Sequence, residues 1–136
     1  VVGQIKSAKI RLKLFNLLKS LDYNLPVIIS PRSYVSKESK ISEGSIIMHD
    51  VLINTNVTIG KNCIINNKSL IEHDSIIGDH CHVATAAVIN GNVNIGNRTF
   101  IGSRVVTKNS IIIGENSIIG SGQIIKTNIQ SNSIIK

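Results

Sequence analysis

Residues 47–77 read I-MHDVLI-NTNVTI-GKNCII-NNKSLI-EHDSII, and an isoleucine returns at every sixth position. This spacing continues outward in both directions, from Val35 to Ile125, without a change of register. Fifteen of the sixteen positions are Ile or Val, and the exception is Thr107. Gly, Asn and Asp recur between them, where a tight turn requires residues that tolerate positive φ. A repeat of this length and regularity decides the architecture of most of the chain.

A six-residue period corresponds to three short strands and three turns in each coil, and such coils stack into a solenoid. The composition agrees, because the chain is 42% hydrophobic but only 3% aromatic, and β-branched side chains suit strands. We therefore predict a mainly β protein in which residues 34–136 form a left-handed parallel β-helix of about five coils. Cys63 and Cys81 are separated by three hexads, which is one full coil. They should stack inside the solenoid, as buried thiols in preference to a disulfide.

Residues 1–33 lack the repeat and are predicted to be the remnant of an α/β domain with its linker. Apolar residues recur at helical spacing within residues 4–21, at Ile10, Leu14, Leu17, Leu18 and Leu21. Residues 1–3 are typical of a strand end with a tight turn, and residues 25–29 are predicted to form a short strand. A strand–helix–strand unit of this size cannot bury its own apolar face, so it is interpreted as the end of a larger domain.

The outward side chains separate into three rows when they are sorted by the coil of three hexads. The first row is Ile46, Ile64, His82, Phe100 and Ile118. The second is Leu52, Leu70, Val88, Val106 and Ile124, and the third, mixed row is Lys40, Thr58, Ile76, Asn94, Ile112 and Gln130. Two long apolar faces are a liability for a monomer. We therefore expect these faces to pack against neighbouring subunits in a closed homotrimer.

The formal net charge of +7 is concentrated in part at the N-terminal end. Aromatic residues do not interleave with the basic ones, so nucleic-acid binding is not expected. A solvated basic helix face and contact with a small polyanion, such as a coenzyme or nucleotide-sugar, both agree with the charge. No apolar run approaches the ~20 residues of a membrane span, and no signal peptide opens the chain. We expect a cytoplasmic protein without membrane insertion.

One predicted turn carries residues suited to acid–base chemistry. The segment Ile71-Glu72-His73-Asp74 places an imidazole beside two carboxylates. Asp74 can hold the ring of His73 in one tautomer, which raises its basicity and suits a general base near neutral pH. Gly91 follows His73 by three hexads and should lie one coil above it, where its unshielded N–H suits stabilisation of an oxyanion. The other interpretation is that His73 is only a polar turn residue of a solenoid.

The hexads resemble the hexapeptide-repeat acetyltransferases, in the branch of sialic acid O-acetyltransferases and bacillosamine-type UDP-4-amino-sugar N-acetyltransferases. The resemblance covers essentially the whole chain and is carried by NNKSLIEHDSIIGD (residues 66–79), HVA (82–84) and GNVNIG (91–96). LPVIISP (residues 25–31) also resembles the junction between the nucleotide-sugar-binding domain and the β-helix of that family, although Ser30 stands where the family often has His. The family's Gly-rich nucleotide loop and C-terminal Gly-x-Pro-Ala segment are not found.

The resemblance implies an acetyl-CoA-dependent enzyme that acetylates an amino or hydroxyl group of a nucleotide-sugar or sialic-acid-type acceptor in surface-glycan biosynthesis. It makes His73 the general base, Asp74 its orienting partner and the Gly91 amide the oxyanion donor. It also implies a role for two groups of residues in binding: Asn66 and His82 for the acceptor or acetyl group, and Gly91, Ser103, Ser121 and Lys126 for the coenzyme. No metal is expected.

Two other functions share this fold and stay open at this point. A γ-carbonic-anhydrase-like enzyme would bind zinc through three histidines across an interface, and His49, His73, His80 and His82 are the available histidines. Their spacing does not match that family. A non-catalytic β-helix, such as an assembly or ice-binding module, is the second alternative. An ice-binding surface would favour a regular row of Thr, and Thr is sparse here.

Overall fold

The computed structural model describes residues 7–136, which form one helix followed by a parallel β-helix. Helix α1 spans Lys9–Ser20, and eighteen two-residue strands follow it. Sheet A contains β1 (Ile28–Ile29), β4 (Ile46–Ile47), β7 (Ile64–Ile65), β10 (His82–Val83), β13 (Phe100–Ile101), β16 (Ile118–Ile119) and β18 (Ile134–Ile135). Sheet B contains β2 (Tyr34–Val35), β5 (Leu52–Ile53), β8 (Leu70–Ile71), β11 (Val88–Ile89), β14 (Val106–Thr107) and β17 (Ile124–Ile125). Sheet C contains β3 (Lys40–Ile41), β6 (Thr58–Ile59), β9 (Ile76–Ile77), β12 (Asn94–Ile95) and β15 (Ile112–Ile113).

The three sheets are the faces of a triangular prism, and the six-residue register is confirmed. Strands pair in parallel with the strands one coil before and one coil after them, as Ile65 does with Ile47 and Val83. The second residue of each strand points inward, and from Ile47 to Ile119 these residues are at most 1% exposed. Stacked Ile and Val side chains therefore form a continuous core along the axis. Cys63 and Cys81 are buried free thiols, and burial raises the pKa of Cys63.

The solenoid is longer than predicted at its N-terminal end. Eighteen strands with three to a coil make about six coils, not five. The extra coil begins at β1, because Ile28 pairs with Ile46 and Ile29 with Ile47. The strand predicted over residues 25–29 is thus a rung of the β-helix, which begins before the expected boundary at residue 34. Ile29 lies six residues before Val35 and therefore continues the register.

The register slips once, near the C-terminal end. Ile129 bridges to Ile113, and Ile134 pairs with Ile118, so both pairings fall short of the full three-hexad separation. The last coil is therefore two residues shorter than the others, and Gln130 does not continue the third outward row as predicted. The Asn128 carboxamide oxygen accepts the Ile112 N–H at 2.9 Å, where the adjacent strand would otherwise supply a carbonyl.

The turns take up left-handed backbone even where the residue is not Gly, Asn or Asp. Lys68, Ala86 and Arg104 have φ of 60°, 57° and 57°. Their amides donate to turn carbonyls one coil below, at 2.9 Å for Ala86 to Asn67 and 3.0 Å for Arg104 to Thr85. These hydrogen bonds between coils hold the turn residue at positive φ, so the turn forms even where that residue has no intrinsic preference for left-handed backbone.

Helix α1 packs against the edge where sheets C and A meet, here called the C–A edge. Arg11 is 4% exposed and donates to the carbonyls of Asn62 at 2.5 Å and His80 at 2.7 Å. The Phe15 ring meets the His80 ring edge-on at 5.4 Å. Burial lowers the pKa of His80, so this contact involves a neutral ring at pH 7. The start of the predicted helix, residues 4–6, and the predicted strand end at residues 1–3 lie outside the described residues.

The two apolar outer faces differ in how far the chain itself covers them. On sheet A, Ile64 and His82 are only 7% and 8% exposed, because the segment around α1 lies over this side of the prism. On sheet B, Leu52 is 41% exposed and Ile124 is 66% exposed. Sheet B is therefore the apolar face that the chain leaves open. Within residues 7–136, no helix has the length and apolar character that crossing a membrane requires.

Candidate active site on the edge between sheets B and C

His73 and Asp74 form one turn of the edge where sheets B and C meet, here called the B–C edge. Asp74 has φ 60°, and this left-handed turn sets its Oδ2 at 2.8 Å from His73 Nδ1. The two side chains are 50% and 49% exposed. An ionised carboxylate can only accept, so Nδ1 donates and Nε2 is left to take a proton. The pair has the tautomer that a general base requires.

Asp74 is held in its ionised form from a second side. Asn56, one coil below, donates from Nδ2 to Asp74 Oδ1 at 2.7 Å. This bond, followed by the bond to His73, lowers the pKa of Asp74. The other neighbouring carboxylate, Glu72, instead accepts from Asn54 Nδ2 at 2.7 Å. The structure thus separates the two carboxylates: Asp74 orients the imidazole, and Glu72 does not.

Gly91 lies directly over the imidazole. A Cβ at this position would be 2.6 Å from His73 Nε2 and 2.7 Å from Cε1, closer than any side chain allows. The coils are joined here by a bond of 2.8 Å from the Asn92 N–H to the His73 carbonyl. Within residues 7–136, the Gly91 N–H has no hydrogen-bond partner. Gly91 therefore lies against the free nitrogen of the base and carries an N–H without a partner in the described chain.

The other predicted site residues lie on different parts of the same chain. Asn66, Ser103 and Ser121 follow or form turns of the edge between sheets A and B, here called the A–B edge. His82 lies on sheet A, where its ring meets Phe100 edge-on at 5.3 Å. Lys126 is exposed just after β17, two coils above Gly91's neighbour Asn90 along the B–C edge. One chain brings together His73, Asp74 and Gly91 only.

Asn54 and Asn56 were missed in the sequence interpretation. Each lies one coil before the carboxylate that it contacts, Glu72 and Asp74 respectively. The coil length alone would therefore have predicted both contacts, since a residue in a turn lies next to its counterpart in the adjacent coil. Counting one coil up from His73 leads to Gly91, and counting one coil down from Asp74 leads to Asn56.

The remaining histidines do not form a metal centre within the described part of the chain. His49 Nδ1 is 2.7 Å from Ser30 Oγ on the A–B edge, and His80 faces Phe15 on the C–A edge. Residues 7–136 contain no group of three His, Cys, Asp or Glu side chains that could hold a metal. A cavity of about 300 Å³ lies between α1 and the first coils of sheet A. Its lining is mainly apolar and excludes the B–C edge.

The hexads match two family models. Residues 38–73 match the bacterial transferase hexapeptide of six repeats, and residues 92–126 match the hexapeptide repeat of succinyl-transferase. Both models describe hexapeptide repeats, the unit that the six-residue period predicts. No curated protein sequence matches the chain.

Solved structures superpose on nearly the whole chain. A mutant perosamine N-acetyltransferase from Caulobacter crescentus, in complex with CoA and GDP-perosamine, is 28% identical over 96% of this chain and 62% of its own, with a TM-score of 0.93. WeeI from Acinetobacter baumannii AYE is 28% identical over 97% of this chain and 65% of its own, with a TM-score of 0.91. The acetyltransferase domain of PglB from Neisseria gonorrhoeae FA1090, in complex with acetyl coenzyme A, is 24% identical over 96% and 63%, with a TM-score of 0.93.

These matches confirm the predicted resemblance to hexapeptide-repeat sugar acetyltransferases, and the PglB match supports the fold alone. The chain spans less than two thirds of the length of each of these structures. The family models and the superpositions agree on the six-residue repeat.

Proposed function

We propose that the protein is a cytoplasmic, acetyl-CoA-dependent sugar acetyltransferase that acts on a nucleotide-linked amino sugar or a sialic-acid-type acceptor in surface-glycan biosynthesis. The observation that carries this proposal is the His73–Asp74 pair, whose free Nε2 lies against Gly91 of the next coil. The similarity to a perosamine N-acetyltransferase whose structure holds CoA and GDP-perosamine supports the coenzyme and the acceptor class.

The chemistry follows from the positions of these groups. His73 Nε2 takes a proton from the acceptor amine or hydroxyl as that atom attacks the thioester carbon. The carbonyl oxygen becomes an oxyanion, which the Gly91 N–H stabilises. Collapse of this intermediate breaks the C–S bond, and the thiolate of CoA takes the proton from the imidazolium of His73. Asp74 stabilises that imidazolium while it exists.

A complete site requires a second subunit, because the predicted residues lie on two edges of sheet B in one chain. His73 and Gly91 lie on the B–C edge, whereas Asn66, Ser103 and Ser121 lie on the A–B edge with His82 on the adjoining face. We infer a homotrimer in which sheet B, the open apolar face, is directed at the three-fold axis. The B–C edge of one subunit then adjoins the A–B edge of the next.

This arrangement assigns the binding roles to the groove between the two edges. Asn66 and His82 of the adjoining subunit would contact the acceptor or the acetyl group. The pantetheine arm would run past Ser103 and Ser121, and Lys126 would lie where it can meet a phosphate of CoA. The trimer predicted from two buried faces is thereby revised to one buried face, because α1 covers part of sheet A.

The first prediction tests the base. We expect His73→Ala to lose acetyl transfer by about 10²–10⁴-fold in kcat, because proton transfer by a positioned side chain contributes that much. The measurement is thiol release from acetyl-CoA with a panel of UDP-4-amino sugars, GDP-perosamine and sialic acids.

Thr55→Ala is the matched control, since Thr55 occupies the same turn position one coil below His73 and its side chain is exposed. It should retain wild-type activity. Full transfer by His73→Ala would contradict the assignment of the base. Absence of thiol release with every acceptor in the wild-type protein would contradict the proposed function.

A further inference from the structure

The hydrogen-bond ladder of sheet B is interrupted at the rung beside Gly91. In the rung below, the Glu72 N–H donates to the Ile89 carbonyl at 2.8 Å, and in the rung above, the Lys108 N–H donates to the Ile125 carbonyl at 2.7 Å. At Asn90 the N–H donates instead to the side-chain Oγ1 of Thr107 at 3.0 Å. Ile89 and Thr107 are accordingly missing from the strand pairing of β11 with β14.

The side chain of Asn90 replaces the missing ladder bond. Its Nδ2 donates to the Thr107 carbonyl at 2.6 Å, the carbonyl that the Asn90 N–H would contact in a regular rung. Asn90 and Thr107 are thus joined by two hydrogen bonds, and each residue contributes one side-chain group and one main-chain group to them. The residue after each inward strand residue is the equivalent of Asn90 in the other rungs. Among residues 7–136, wherever a further coil lies above, the N–H of this residue donates to a main-chain carbonyl of that coil.

Thr107 is also the one residue that breaks the Ile/Val row from Val35 to Ile125. Its side chain is 1% exposed, so the hydroxyl is buried inside an apolar core. A buried hydroxyl without a partner is costly, and the Asn90 N–H satisfies it. The residue that interrupts the Ile/Val row is therefore also the residue that interrupts the hydrogen-bond ladder.

This feature bears directly on the peptide that carries the Gly91 N–H. The carbonyl of that peptide belongs to Asn90 and accepts from Ser75 Oγ at 3.0 Å. Ser75 is buried and follows Asp74 in the chain. The residue before Gly91 is thus held by its N–H, its side chain and its carbonyl, and the Gly91 N–H remains without a partner in the described chain.

We propose that Asn90 and Thr107 are positioning residues for the oxyanion donor: their paired bonds orient the Asn90–Gly91 peptide so that the Gly91 N–H meets the acyl oxygen. This inference rests on the proposed function. A small misplacement of a group at the reacting centre can cost much of the rate without affecting ground-state binding. The interrupted ladder is then a feature of the site and not a defect of the solenoid.

The test is Thr107→Val, which keeps the shape of the side chain and removes the hydroxyl. Val occupies this position in other rungs, so the solenoid should retain its melting temperature. We expect kcat to fall about tenfold with little change in KM for acetyl-CoA. Thr107→Ser, which restores the hydroxyl, should retain kcat. The ¹H–¹⁵N resonance of Gly91 should move in Thr107→Val and stay near its wild-type position in Thr107→Ser.

Two further variants sharpen the test. Asn90→Ala removes the side-chain bond to the Thr107 carbonyl and should also lower kcat about tenfold. It serves as the test if Thr107→Val does not fold. Ser45→Ala is the control, because the buried Ser45 hydroxyl, like that of Thr107, accepts a main-chain N–H, here from Cys63 at 2.9 Å. It also donates to the Gly60 carbonyl at 2.7 Å and lies on the C–A edge, away from His73. Ser45→Ala should leave kcat unchanged.

The outcomes separate this inference from the proposed function. Loss of transfer in His73→Ala together with unchanged kcat in folded Thr107→Val and Asn90→Ala would overturn the positioning role alone. Full transfer in His73→Ala would overturn the proposed function and this inference with it. A fall in kcat in Thr107→Val that Thr107→Ser does not rescue would show that the hydroxyl is not the responsible group.

Discussion

At the residue level, the imidazole of His73 is positioned by Asp74 and Gly91, and Asn56 acts on it through Asp74. Asp74 accepts from Nδ1, Asn56 donates to Asp74 from the coil below, and Gly91 lies against Nε2 from the coil above. The two polar contacts fix the tautomer of the ring, and the glycine fixes how near the next coil can approach. The reactive nitrogen is therefore placed by shape as much as by charge.

Gly91→Ala tests this placement. The added methyl group would lie 2.6 Å from His73 Nε2, so the ring must tilt away from its position. We expect kcat to fall at least about tenfold, whereas the free energy of unfolding should change little, because the half-exposed ring can move into solvent. Activity is measured by thiol release and stability by thermal unfolding.

A double-mutant comparison supplies the control. In a His73→Ala background the ring is absent, so Gly91→Ala should leave the free energy of unfolding unchanged there as well. Gly91 has no left-handed φ that would strain an alanine there. An equal loss of stability in both backgrounds would mean that the methyl group clashes with something other than the imidazole.

At the element level, α1 is held to the solenoid by one buried cation and one aromatic ring. Arg11 donates to the carbonyls of Asn62 and His80, and Phe15 packs on the His80 ring. Burial lowers the pKa of Arg11, but a guanidinium stays charged in proteins. The helix is attached at turns of the C–A edge, on the opposite side of sheet C from His73.

Arg11→Ala should release α1 while the coils remain folded. The substitution leaves buried carbonyls without their donor, which costs about 2–3 kcal/mol in the stability of the docked helix. Amide hydrogen exchange should show faster exchange across residues 9–20 and unchanged protection in the inner coils. Lys13→Ala, on an exposed position of the same helix, should change exchange little. Faster exchange throughout the β-helix would contradict a local attachment.

At the level of the whole molecule, sheet B joins the two halves of the proposed site. The chain covers part of sheet A with α1, but it leaves the row from Leu52 to Ile124 open. Burial of this row against a three-fold axis would remove its apolar surface from water. The same contact would bring the His73 edge of one subunit to the Ser103 edge of the next.

Mixed assemblies of His73→Ala and His82→Ala subunits test the shared site. In a random trimer, about a quarter of the interfaces pair an intact His73 with an intact His82 of the next subunit. We expect a co-expressed mixture to recover about a quarter of wild-type thiol release, although each variant alone is deficient. A mixture of His73→Ala with a chain carrying both substitutions should recover none. A monomer in sedimentation, or no recovery in the first mixture, would contradict the arrangement.

The sequence by itself determined the solenoid, because a six-residue period leaves only one register for its inward side chains. From that register followed the three outward rows, the stacked cysteines and the pairing of His73 with Gly91. Each of these depends only on counting along the chain. The same counting would also have found Asn56, since it lies one coil before Asp74.

Only the tertiary structure decided the features in which a side chain or a distant segment changes the contacts expected from the six-residue repeat. It showed that Asp74 and not Glu72 contacts His73, that Asn90 and Thr107 interrupt the ladder, and that the last coil is two residues short. It also placed α1 over sheet A and left sheet B open. The physical reason is that several hydrogen-bond and packing partners compete for each of these groups. The repeat brings the competing partners close together, but their relative free energies depend on the full tertiary structure.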